Sequence, residues 1–188
     1  MLLTAHPNLK LEIRSLPEKE KDKLLLRLIA KDKVLTEHLH FKLLENEEDL
    51  AGRSANLLAT IDEGIAALLS SKKLNSKDVL TQIRSLTGKI NHHFKVTKDI
   101  NSDIELRIYL LRHVPVAFNE GVFSSLHKYN EKLNIYFVKS VVAVLKKYDK
   151  THEDIQFDLK ESINEVLIKT HNNKTRTIAK ELGLPKER

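Results

Sequence analysis

The chain has 188 residues, a formal charge of +6 and no cysteine. The lack of cysteine excludes disulfide frameworks, thiolate zinc sites, iron–sulfur clusters and cysteine nucleophiles, and a chain of this length buries enough surface to fold without a metal or disulfide staple. Five glycines and four prolines are too few to punctuate a turn-rich β architecture, so helices rich in Leu, Lys, Glu and Ile are expected to carry the fold.

The charge is unevenly placed. Lys169 to Arg188 holds six Lys and Arg against Glu181 and Glu187, a net +4, which leaves +2 for everything before it. A broad cationic face that releases counterions from nucleic acid is therefore not expected on the body, only on the tail. Met1 to Pro7 has neither the basic start nor the apolar run of a secretory signal, and no stretch approaches the roughly 18 apolar residues that span a bilayer, so a cytoplasmic location without membrane contact is expected.

In chain order, Ser15-Leu16-Pro17-Glu18 reads as a capping box that opens a first helix, with Leu24, Leu25, Leu28 and Ile29 as its buried stripe. A short second helix carries Val34, Leu35, Leu39, Leu43 and Leu44 and ends at the acidic run Glu45 to Asp49. Leu50, Leu57, Leu58, Ile61, Ile65, Leu68 and Leu69 then recur at helical spacing. Ser76 is the expected cap of a helix that buries Val79, Leu80, Ile83, Leu86, Ile90 and Phe94 and gives way to a polar loop reaching Asn101. Ser102-Asp103-Ile104-Glu105 reads as a second capping box, opening a helix apolar on most sides and ended by Pro115. Residues 121–148 include the β-prone runs Ile135 to Val138 and Val141 to Val144, but no turn residue interrupts them and the apolar phase stays helical, so one long buried helix is predicted. A last helix, capped by Thr151, shows Ile155, Leu159, Ile163, Val166 and Leu167 on one face.

The resulting fold class is all-α, with about seven helices packed as antiparallel hairpins, either a HEAT-like stack or an irregular bundle. No internal repeat selects between them. Residues 1–170 are expected to form one domain, followed by a basic tail over 171–188 that is free to fray. Ser15-Leu16-Pro17, Arg27 to Lys31, Asp103 to Leu106 and His152 to Asp158 together resemble a family of small all-helical proteins with no assigned activity. The resemblance implies the helical fold and no functional residue.

Nine histidines invite a search for metal ligands at helical spacing. Glu37 and His40 have the carboxylate–histidine spacing of di-iron bundles, but the second such motif, Asp149 with His152, straddles Thr151, so no metal site and no cofactor is predicted. His92 and His93 point about 100° apart on a helix, and His127 with Glu131 is an ordinary pair one turn apart. No glycine-flanked serine and no phosphate-cradling loop is present. Thr177 to Leu184 resembles the first helix and turn of a helix-turn-helix, but no recognition helix follows within the 188 residues, so a short helix ended by Gly183 and Pro185 is the simpler expectation. The acidic run Glu45 to Asp49 reads as a solvated face, and less readily as a surface for the basic tail of another copy.

These features point away from an enzyme and toward a helical interaction or scaffold protein with an unidentified protein partner or a second copy of itself. The candidate surface is the groove beside the long helix, where Tyr129, Tyr136 and Tyr148 offer apolar bodies with polar tips, although each is also a plausible core aromatic. The alternative is nucleic-acid contact through phosphates at Lys174, Arg176, Lys180, Lys186 and Arg188.

Overall fold

A computed structural model of the chain describes residues 3–171 and 174–188; Met1 and Leu2 of the N-terminal stretch, and Asn172 and Asn173 of the tail, lie outside the described residues. The protein is all-α: nine α-helices and one 3-10 turn are found among the described residues. By contact it divides into two compact units at Glu45 and Asn46.

The first unit holds a 3-10 turn (Leu3–Ala5) and helices α1 (Pro7–Ser15), α2 (Glu18–Ile29) and α3 (Lys33–Leu44). The expected capping box at Ser15 is absent. Ser15 ends α1 and turns its hydroxyl back to the Glu12 carbonyl, while Pro17 precedes α2 without a side-chain cap. Asp32 caps α3 by accepting from the Leu35 amide at 3.0 Å, and Thr36 donates to the carbonyls of Ile29 and Asp32, fastening the end of α2 to the start of α3. No residue of α1, α2 or α3 is buried. The expected stripe on α2 is thus not a core: Leu28 is 53% exposed, and on α3 Leu44 is 74% exposed. Two or three short helices cannot enclose a leucine face by themselves.

The second unit holds α4 (Glu47–Leu69), α5 (Ser76–Thr97), α6 (Ile100–His113), α7 (His127–Tyr148), α8 (Glu153–His171) and α9 (Arg176–Glu181). The acidic run starts α4. Asn46 accepts from the amides of Glu48 and Asp49 while Asp49 accepts from the amide of Asn46, and three carboxylates in the first turn suit the positive end of the helix dipole. Asn75, not Ser76, caps α5. Ser76 is buried and donates from its hydroxyl and its amide to Glu120 at 2.5 and 3.0 Å. In place of the expected loop to Asn101, Lys98 takes a left-handed turn at φ 57° and Asp99 caps α6 at once, three residues before the predicted box. The long helix begins at His127 rather than 121, because Glu120 is tied to α5 and Gly121 and Ser124 form turns. Thr151 closes α7 through the Tyr148 carbonyl instead of opening α8.

Every strongly packed pair of helices in this unit is one or two apart in the chain: α6 touches α4, α5, α7 and α8, and α7 touches α5, α6, α8 and α9. That order gives two layers, α4, α6 and α8 against α5, α7 and α9. The core is continuous, from Ile61 and Ile65 through Ile83, Leu86, Ile104, Ile108 and Leu111 to Phe137, Val141 and Leu167. The described part of the tail joins it: Ala179 is fully buried, and Gly183 at φ 68° ends α9 with the Leu184 amide donating to the Ala179 carbonyl, a Schellman closure. No described helix is long and apolar enough to cross a membrane.

Candidate functional site

The three tyrosines of α7 have different surroundings. Tyr148 is buried and donates to the Gln156 carbonyl at 2.6 Å, a core position that staples α7 to α8. Tyr129 packs against the core with Lys77 Nζ 5.6 Å from its ring centre. Tyr136 lines a cavity of about 300 Å³ between α5, α6 and α7. Leu110, Leu111 and Val144 form its apolar floor, and Lys139 and Arg107 stand at its edge. Arg84 adds a third cation, 5.4 Å over the Tyr136 ring. Arg107 and Arg84 carry no signal of this in the sequence, because they come from helices that meet α7 only in the fold.

Arg107 also belongs to a buried ion network. Asp103, with no exposed surface, accepts from Arg107 Nε and Nη2 and from Lys147 Nζ, and Arg107 donates to Asn91 at 2.6 Å. At the other end of α6, Lys169 Nζ donates to the carbonyls of Leu111, Arg112 and Val114 at 2.6 to 2.9 Å, closing the C-terminus of the helix. Burial pushes its pKa down to about 8. Both arrangements hold helices together.

The tail cations divide in two. Lys174 donates to the Phe118 carbonyl, and Arg188 pairs with Asp149 and exchanges hydrogen bonds with Asn164, so both serve packing. Arg176, Lys180 and Lys186 instead surround one cavity of about 400 Å³ together with His171.

The metal-ligand candidates are not assembled. Glu37 and His40 lie in the first unit, where Glu37 faces Lys33 and His40 Nδ1 is 2.8 Å from Glu45. Asp149 is held by Arg188, and His152 faces Asp154. No group of three potential ligands occurs among the described residues. His127 and Glu131 are 3.5 Å apart on the surface of α7.

No protein-family profile matches this chain, and searches of curated proteins and of solved structures return no match.

Proposed function

We propose that the protein is a helical binding module rather than a catalyst, and that it takes a segment of a partner protein into the Tyr136 groove. The cavity between α5, α6 and α7 carries this reading: an apolar floor with the exposed cation Lys139 at its edge and Arg84 over the ring of Tyr136. Such a rim suits an acidic segment that presents one apolar anchor. Burying the anchor contributes about 1.5–3 kcal/mol and each exposed ion pair about 0–1 kcal/mol, so the complex is weak and transient. The test is capture of partners by the full chain and by Ala143→Glu, which places a repelling carboxylate in the groove from an exposed helix position. Loss of a defined acidic partner from the variant, with an unchanged circular dichroism spectrum, supports the reading; equal capture by both overturns it.

A second reading rests on the convergence of Arg176, Lys180, Lys186 and His171. These groups suit contact with nucleic-acid phosphates. Association would weaken steeply with salt, and Lys180→Glu would reduce the salt slope by about one phosphate contact. Binding indifferent to salt or to that change rejects it.

A further inference from the structure

The groove between α4 and α5 is used by neither reading. The two helices pack tightly at Gly64, where a Cβ would stand 2.5 Å from Gln82 Nε2 and 3.3 Å from both Leu86 methyls. Toward the start of α4 and the end of α5, a groove of about 560 Å³ lies between them, within the usual range of small-molecule sites. Four nitrogen-bearing cations or titratable rings line it, Arg53 from α4 and Lys89, His92 and His93 from α5, with no carboxylate in the lining among the described residues.

Gly88 forms part of the floor, and nothing lies within 4 Å of the place where its Cβ would be. Packing therefore does not account for a glycine in the middle of a 22-residue helix, where it costs about 1 kcal/mol relative to alanine. A bare backbone there lets a bound molecule lie directly on the helix. Leu57 and Val96 add apolar surface elsewhere in the groove, and Asn56, Thr60 and Ser85 supply neutral hydrogen-bonding groups.

The inner wall is His93, buried, with Nε2 3.0 Å from Ser102 Oγ. Burial lowers its pKa, Arg53 and His92 lower it further, and Asp99 and Asp103 on the α6 side oppose them. An anion in the groove would add to the opposing side.

We infer that this groove binds a small phosphorylated molecule, with Arg53, Lys89 and His92 around the phosphoryl oxygens and the uncharged body lying over Gly88. The three terminal oxygens of a phosphoryl group can accept from donors on Arg53, Lys89 and His92 together, which the two oxygens of a carboxylate do less completely. Their concentration in one groove, instead of along a track, separates the site from one for a nucleic-acid strand. The inference does not depend on the partner-protein reading, since no lining residue is shared with the Tyr136 groove.

The test is a nuclear magnetic resonance titration of the full chain with inorganic phosphate, followed by adenosine monophosphate, ribose 5-phosphate and adenosine. Phosphate in the millimolar range is expected to shift the ring signals of His92 and His93 and to raise the His93 pKa. One of the two phosphorylated ligands is expected to bind more tightly than phosphate, which identifies the body. Lys89→Gln and Arg53→Gln are each expected to weaken binding about tenfold or more, and Gly88→Leu to block the phosphorylated ligands while leaving the helical spectrum intact. Absence of any phosphate response at these rings, or a response to adenosine equal to that of its monophosphate, overturns the proposal.

Discussion

Lys147 Nζ stands 2.5 Å from Asp103 Oδ2, which ties the last turn of α7 to the first turn of α6. The same carboxylate holds Arg107, and the Lys147 ammonium lies 4.7 Å over the Phe94 ring of α5, so three helices meet at one buried anion. Removing one partner from such a group leaves the others charged and uncompensated. Asp103→Ala is expected to cost about 3–5 kcal/mol in urea unfolding. A loss below about 1 kcal/mol would show that the network contributes little.

Lys169 should set a pH dependence on the alkaline side. Its folded pKa, about 8, lies below the unfolded value near 10.4, so the unfolded chain binds more protons between those limits and stability from this group rises with pH across that window. Lys169→Met is expected to flatten that slope. It should also destabilise the protein at neutral pH by about 2 kcal/mol, because three carbonyls at the end of α6 lose a charged donor. Unfolding midpoints measured from pH 7.5 to about 10 check both.

His93 acts on the acid side. Its folded pKa is depressed below the unfolded value of about 6.5, so the unfolded state takes up the proton first as pH falls, and stability declines from about pH 6.5 downward. His93→Gln is expected to make the melting temperature less sensitive to pH between about 7 and 5. An unchanged pH profile would mean that the ring is solvated when the protein is folded.

The glycines of α4 and α5 make opposite predictions. Gly88→Ala meets nothing and should stabilise by about 0.4–1 kcal/mol. At Gly64 the new methyl must displace the Gln82 amide and press on Leu86, so Gly64→Ala should destabilise by about 1 kcal/mol despite the better helix propensity. Denaturation of both variants decides whether the helices are as close at Gly64 as the structure has them.

Amide hydrogen exchange should separate the two units. Amides of α1 to α3, whose helices have no buried residue, should exchange through local opening, and those of α6 only near global unfolding. Equal protection in α2 and α6 would mean that the leucines of α2 are covered in solution.

Periodicity and helix propensity are local, and they determined most of what is regular in this protein. The stripe Ile61, Ile65 and Leu68 on α4, the series Val79 to Ile90 on α5, and Leu133, Phe137, Val141 and Leu145 on α7 are buried as their spacing requires, and α6 is as central as its apolar circumference implies. The same spacing misled at Leu24, Leu25 and Leu28, since a stripe says which residues share a face and not whether another element covers it. Capping also failed where competing partners lay far away in the chain: Ser76 fits the pattern of a cap, but Glu120, 44 residues on, takes its hydroxyl. Only the tertiary structure decided the groove at Tyr136, the cation cluster in the tail and the groove between α4 and α5. Each combines residues from separate stretches of the chain, with the first and last on neighbouring helices, and no spacing within one helix records which side chains a second helix brings beside it.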